Sequence, residues 1–264
     1  VNEILVQYAG IDIRQRGANG VQADIGIRGS TFDQVLVLLN GVRMSDVQTG
    51  HHSMNIPLDV SAIERIEVVK GAGGRVYGQN ALAGVINIIT KNPKESFVSI
   101  KAVGGDFNLS DFTVSAGFKG KKSSNLLSIN NGASAGYKFN TDYNITNVFF
   151  SSEIDFNEKK ESSDILEIIK HDSPLKTNDK ANGWNSTLNF MGGFTERKFG
   201  ANGFYSSPAF KDQYEEIQTS VVSAKLSFFK SYETKYNVTA YWRRNQDEYV
   251  FLRFQPEVFR NMHI

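Results

Sequence analysis

The sequence predicts a mainly β protein in two unlike parts, a small mixed α/β domain over residues 1–95 and then about seven long antiparallel strands over residues 96–264. Three observations predict this. Only three of the 31 Phe, Tyr and Trp residues (Tyr8, Phe32 and Tyr77) precede residue 96. The first part interrupts short β-branched runs with Gly-rich turn chemistry. The second part alternates apolar and polar residues with period two over long spans, the signature of strands with two different faces.

Taken in order, Val1 to Tyr8 reads as a short helix with Gly10 as its stop signal. Val35 to Leu39, Ile63 to Val69 and Gly84 to Thr90 read as short strands, and Asn92-Pro93-Lys94 marks the boundary between the two parts. Beyond it, strands are expected near 97–105, 110–119, 124–137, 145–157, 184–205, 216–229 and 234–251. In these, Phe112, Val114, Ala116 and Phe118 oppose Asp111, Thr113, Ser115 and Lys119, and Val222, Ala224, Leu226 and Phe228 oppose Ser223, Lys225 and Ser227. The charged stretch from Glu158 to Gly183 reads as a long exposed loop, with room for a short helix at Ile165 to Ile169. If the first long strand rises from one membrane face, strand parity brings that loop back to the same face, where barrel turns are normally short.

A soluble β-sandwich produces the same alternation, so alternation alone leaves both architectures open. Strands of roughly 9 to 14 residues exceed the usual 5 or 6, and aromatics stand at both ends of the apolar rows as in interfacial girdles. The overall hydropathy is mildly negative, as expected where polar side chains face a wet lumen. Such a sheet must close in lipid, which offers no hydrogen-bond partner to an open edge. No stretch approaches the 18 or so apolar residues of a membrane helix. The formal charge of +1 gives no global field for nucleic acid, and the absence of cysteine removes disulfides, thiolate nucleophiles and Cys-ligated metals. The first residues lack the features of a signal peptide and the last follow directly on a strand-like run, so a fragment is expected.

Catalytic signals are thin. Gly71, Gly73, Gly74 and Gly78 follow a strand, and Gly73 and Gly78 have the spacing of a phosphate loop. Gln79 and Asn80 stand where that loop needs Lys and Ser or Thr, and Val76 occupies the third glycine of a dinucleotide fingerprint. Only Gln79 to Ala83 separate Gly78 from the next strand, too few for a βαβ crossover. No enzyme and no cofactor is expected. His51-His52 is the one histidine pair, but neighbours along an extended chain point apart, which favours solvated or hydrogen-bonded rings over a metal site.

Five segments in order carry a resemblance: IRGS (Ile27 to Ser30), QVLVLLNGVRMSD (Gln34 to Asp46), IERIEVVKG (Ile63 to Gly71), VYG (Val76 to Gly78) and AGVINIITK (Ala83 to Lys91). Together they resemble the plug domain of TonB-dependent outer-membrane receptors, and the aromatic strands after them look like the start of the 22-stranded transmembrane barrel that such plugs occupy. The resemblance implies import of a large scarce nutrient across the outer membrane, powered by the TonB–ExbB–ExbD complex through a TonB box that would lie outside this stretch. It implies contact with outer-membrane lipid and none with nucleic acid.

Among sub-families the plug looks most like vitamin B12 receptors and related receptors of Bacteroidetes-type bacteria. That implies a cobalamin or another corrinoid as ligand, with a ferric siderophore as the alternative within the family. GIDIRQRGANG (Gly10 to Gly20) and DVQTGHHSMNIPLD (Asp46 to Asp59) match the two apical plug loops. By that carry-over Arg16, Asn19, Gln48, Thr49, Gly50, His51 and His52 face the ligand. Arg28, Arg43, Glu64, Arg65 and Glu67 would make polar contacts between plug and barrel wall. The histidines depart from the family's own loop residues.

Overall fold

A computed structural model describes residues 1–18, 20–46, 50–156, 185–205, 209–229 and 234–264. The expected loop at 158–183 and its short helix lie outside the described residues, as do Asn19, Gln48 and Thr49.

The N-terminal part opens on a helix, α1 (Asn2–Leu5), shorter than the expected Val1 to Tyr8. A two-stranded sheet of β1 (Ile11–Arg16) and β2 (Gln22–Ile27) follows, and then a four-stranded sheet. Its strands are β3 (Val35–Leu39), β4 (Val42–Arg43), β5 (Ile63–Lys70) and β6 (Gly84–Thr90), in the order β4-β3-β6-β5. Strand β3 is buried at all five positions, the continuous apolar run VLVLL being what a central strand covered on both faces requires. It turns into β4 through Asn40-Gly41, whose φ values of 51° and 83° are those of a tight hairpin turn for which Asn-Gly is the preferred pair. Asn40 then serves a second purpose, since its Oδ1 accepts from the backbone N–H of Thr90 at 3.0 Å and ties the turn to the end of β6.

The glycine cluster joins β5 to β6, which run antiparallel, and so is a connection within a hairpin rather than a parallel crossover. Between the two strands lies one helical turn, α2 (Gly74–Tyr77). The N–H of Gly71 donates to the carbonyl of Ala83 and that of Gly73 to Ala81, both at 2.8 Å, so these donors close the loop on itself. Gly84 needs to be glycine for a different reason: a Cβ there would lie 2.5 Å from the carbonyl oxygen of Val69.

The remaining strands form one eight-stranded antiparallel sheet in sequence order: β7 (Phe97–Gly105), β8 (Leu109–Lys119), β9 (Ser123–Ser134), β10 (Tyr143–Asp155), β11 (Asn185–Gly200), β12 (Tyr214–Phe229), β13 (Lys235–Val250) and β14 (Arg260–His263). Seven occupy the spans expected from alternation. The eighth pairs Arg260–His263 with the end of β13, a stretch too short to show a period of its own. Within the described residues the sheet is open, with β7 and β14 at its edges.

Its two faces separate as the alternation requires. Phe149 of β10 is fully buried in the same apolar cluster as Leu39, Met44, Ile56 and Ile88 of the N-terminal domain, together with Leu126, Met191 and Val221 from other long strands. Phe150, one residue on, points the other way and is exposed. The outward row is apolar across the sheet: Ile100 faces Val114, Val114 faces Ile129, Ile129 faces Val148 and Val148 faces Phe194. It continues through Val222 beside Trp242 and Leu226 beside Val238.

The same outward row turns polar toward one end. Lys198 lies 3.7 Å from Glu216 and Gln218 donates to Glu196 at 2.9 Å. The three longest strands have 16 residues each. At about 3.3 Å per residue and a tilt near 40° they stand about 40 Å tall, well beyond an apolar band of about 25 Å. Their charged ends therefore extend beyond such a band.

The end of β10 and the start of β11 lie at the end of the sheet where the N-terminal domain joins it. Asn92 donates to Glu153 near the end of β10 at 2.8 Å, and Ser124 donates to the carbonyl of Pro93. Since β11 carries the chain back to the far end, these two strand ends are on the junction side, as the strand count from sequence requires.

Candidate functional site at the apical end

At the charged end, the loops of the N-terminal domain meet the sheet and the loop between β11 and β12. Arg197 on β11 is buried and donates to the carbonyl of Gly20 at 2.8 Å, so the wall grips the β1–β2 loop through its backbone. Replacing Arg197 with Met leaves that carbonyl without its partner. An unmade buried hydrogen bond costs about 1–3 kcal/mol, so we expect the loop to open about ten to a hundred times more often and trypsin to cleave after Arg16 correspondingly faster. An unchanged cleavage rate would contradict this grip.

Arg16 ends β1 with its guanidinium 5.4 Å from the centre of the Tyr205 ring and 3.7 Å from Asp24. His51 Nδ1 lies 2.8 Å from Asp24 Oδ1, and its ring stacks on Phe32 with centroids 4.2 Å apart. Gly50 takes φ +73° and packs so closely on Phe32 that a Cβ would stand 2.7 Å from the ring. A side chain there would disturb both the turn and the stack.

His52 follows His51 in a turn, but its ring has different partners. It is 4% exposed, with its Nε2 3.8 Å from Glu215 Oε1 on β12 and 3.7 Å from Asp247 Oδ2 on β13. Tyr205 donates its hydroxyl to the other oxygen of Glu215. Burial, then the adjacent Glu215 carboxylate, push the Tyr205 phenol far above its ordinary range, so it remains a donor throughout physiological pH.

An aromatic cluster extends outward from Tyr205. Its ring centre is 6.1 Å from Phe204 and 5.7 Å from Tyr249, and Tyr249 lies 6.3 Å from Phe259. The outer loops are tied together at Arg253, which holds both oxygens of Asp142 at 2.6 and 2.9 Å and covers the Tyr214 ring at 4.3 Å. That pairing raises the pKa of the guanidinium, which stays charged.

The residues expected to bridge domain and wall divide differently. Arg43 donates to the carbonyls of Tyr77 at 2.7 Å and Gln79 at 2.6 Å, capping the end of α2 within its own domain. Arg65 binds Glu67 at 2.8 Å, and Glu67 accepts from Asn87 on the neighbouring strand at 3.1 Å. Those bonds, led by the one from Arg65, hold the Glu67 carboxyl below its usual range. Arg28 is exposed in the left-handed turn after β2, at φ 54°. Glu64 and Arg65 line a cavity of about 810 Å³ whose opposite wall includes Glu153, Lys225 and Lys235. Arg197, Glu215, Asp247 and Tyr205 were not singled out from sequence. The signal was available in part, because Arg197, Glu215 and Asp247 fall on the inward parity of their strands.

Residues 1–85 match the family described as the TonB-dependent Receptor Plug Domain. The chain is 41% identical over 102 residues, 39% of its length, to the vitamin B12 transporter BtuB of Vibrio vulnificus. It is 34% identical over 138 residues to the BtuB of Vibrio cholerae strain O395. By its plug domain the chain is related to the TonB-dependent receptors. These alignments span 16% and 22% of the two transporters, so what is compared is the plug and the first part of a barrel.

Solved structures agree on the fold of this receptor. The ferric citrate transporter FecA in its unliganded form superposes with a TM-score of 0.69 over 94% of the chain and 38% of its own, at 14% identity. The copper transporter OprC gives 0.66 over 94% and 35%, at 11% identity. The apolar outward belt of the receptor therefore faces the lipid of the outer membrane, and its four-stranded sheet is the plug.

Proposed function

We propose that the complete receptor imports a large, scarce nutrient across the outer membrane, with a corrinoid such as cobalamin as cargo, and that it is not an enzyme. The observation that carries this reading is the 41% identity to a vitamin B12 transporter, which spans 102 residues and far exceeds the 11–17% shared with the structural neighbours. The apical geometry supports it. Arg16, Gly50 and His51 sit beside the aromatic cluster around Tyr205, where flat apolar surface adjoins fixed donors and acceptors. A large ring system with polar side arms needs both kinds of surface. Asn19, Gln48 and Thr49 belong to the same loops.

In this reading the plug obstructs the barrel and a pull from the TonB–ExbB–ExbD complex displaces it. The cavity lined by Glu64 and Arg65 suits such movement, since polar walls exchange one another for water at small cost. The ferric siderophore alternative rests on a different observation, the match in fold to a ferric citrate transporter and a ferric yersiniabactin receptor. Titrating the purified full-length receptor with cyanocobalamin and with ferric siderophores side by side separates the two. We expect saturable corrinoid binding weakened by Arg16→Ala and Tyr205→Ala; siderophore binding without corrinoid binding would overturn the preferred cargo.

A further inference from the structure

We propose that His52, Glu215 and Asp247 form a binding site for a divalent transition cation, Zn2+ being the best fit, that fastens the apical plug loop to the barrel wall. The three ligand atoms lie within 4.8 Å of one another and all three residues are buried. His52 comes from the plug, whereas Glu215 and Asp247 come from the paired strands β12 and β13.

The distances from His52 leave room for a cation between the ring and the two carboxylates. His52 Nε2 stands 3.7 and 3.8 Å from its two carboxylate neighbours, too far for direct hydrogen bonds. Ligands bound to Zn2+ at about 2.0–2.2 Å in tetrahedral array stand about 3.4 Å apart, so small movements bring all three onto one ion. Asp247 supplies the independent sign that something is missing from the polar accounting. It is 5% exposed, and its Oδ1 is buried without a hydrogen-bond partner.

Charge points the same way. Two buried carboxylates side by side repel unless a cation or a shared proton joins them. Arg16 lies over the Tyr205 ring and 3.7 Å from Asp24, and reaches Glu215 only through its longer-range charge. Tyr205 occupies the second oxygen of Glu215 as a donor, which orients that carboxylate as outer partners of metal ligands commonly do. His263 Nδ1 is a further nitrogen, 3.7 Å from Asp247 Oδ2 and buried without a partner. One imidazole with two carboxylates suits Zn2+ better than Ca2+, which takes six to eight oxygens.

The ion would act as a fastening rather than as cargo, because its ligands are enclosed between plug and wall. Bound Zn2+ joins two parts that otherwise meet through exchangeable contacts, and chelation releases them. This does not depend on which nutrient the receptor carries.

The test uses the complete receptor, purified in detergent without a polyhistidine tag. Equilibrium dialysis against Zn2+ with elemental analysis should give about one ion per receptor, and Zn2+ should raise the melting temperature. Co2+ in its place should show the visible absorption of a low-coordinate site. His52→Gln and Asp247→Asn should each weaken Zn2+ at least about a hundredfold, since even outer partners of metal ligands are worth ten- to a hundredfold. His51→Gln, one residue away and facing Asp24, should retain the ion. Absence of Zn2+ uptake by the parent receptor, which would leave a shared proton between the carboxylates, overturns the proposal. So does equal uptake by the His52→Gln receptor when its metal-free melting temperature matches the parent's.

Discussion

On the transport reading proposed above, a receptor carrying Ser61→Cys together with Ser115→Cys should lose energised uptake when oxidised and regain it on reduction. Ser61 lies in the short turn before β5, where the Asp59 side chain accepts from its backbone N–H at 2.8 Å, and Ser115 faces inward from β8. Their hydroxyl oxygens are 3.2 Å apart, so thiols in the same positions need to approach by about 1 Å to reach a disulfide length of about 2.05 Å. The described sequence has no cysteine, which removes competing pairs within it. A covalent tie between plug and wall is not broken by the proposed pull, which shifts only hydrogen bonds and packed side chains. Uptake should therefore fall to the level of cells without TonB in proportion to the cross-linked fraction. Each single cysteine variant should transport normally, and full transport by a fully cross-linked receptor would refute plug displacement on this side of the domain.

Phe149→Ala should loosen the plug while Phe150→Ala leaves it in place. Phe149 is fully buried in the cluster that joins plug and wall, and truncating such a side chain costs about 3–5 kcal/mol. Phe150 faces the lipid belt, where lipid covers whatever remains after truncation. The expected readouts are faster hydrogen exchange in β3 and β6 and entry of a large antibiotic that the intact outer membrane excludes, in the first variant only. Equal protection of the plug amides in both variants would mean that the inward and outward faces have been assigned wrongly. The two positions are adjacent and the substitution is the same, so the two variants have identical composition.

These two experiments depend on a face assignment that the sequence carries well. Period two along β8, β10 and β12 separates Val114 from Ser115, Phe150 from Phe149 and Val222 from Ser223, and burial follows that division. The Asn40-Gly41 turn, the buried run VLVLL and the short connection through Gly71 to Gly78 were legible for the same reason. Each depends on residues close along the chain. Arg43 was less legible because its partners, Tyr77 and Gln79, lie 34 and 36 residues away and belong to its own domain rather than the wall.

The sequence by itself determined the two-part organisation, the spans of seven long strands, the alternation of their faces and, through five ordered motifs, the receptor family. All of these are set by local periodicity and short-range backbone chemistry. Only the tertiary structure decided that Arg197 holds the carbonyl of Gly20 and that His52 stands beside Glu215 and Asp247. Those residues are separated by some 160 to 200 positions, and their meeting follows from how a curved sheet wraps a folded domain. No local pattern encodes that distance, because it is the shared burial of Phe149, Met191 and the plug strands that brings the apical loops against the wall.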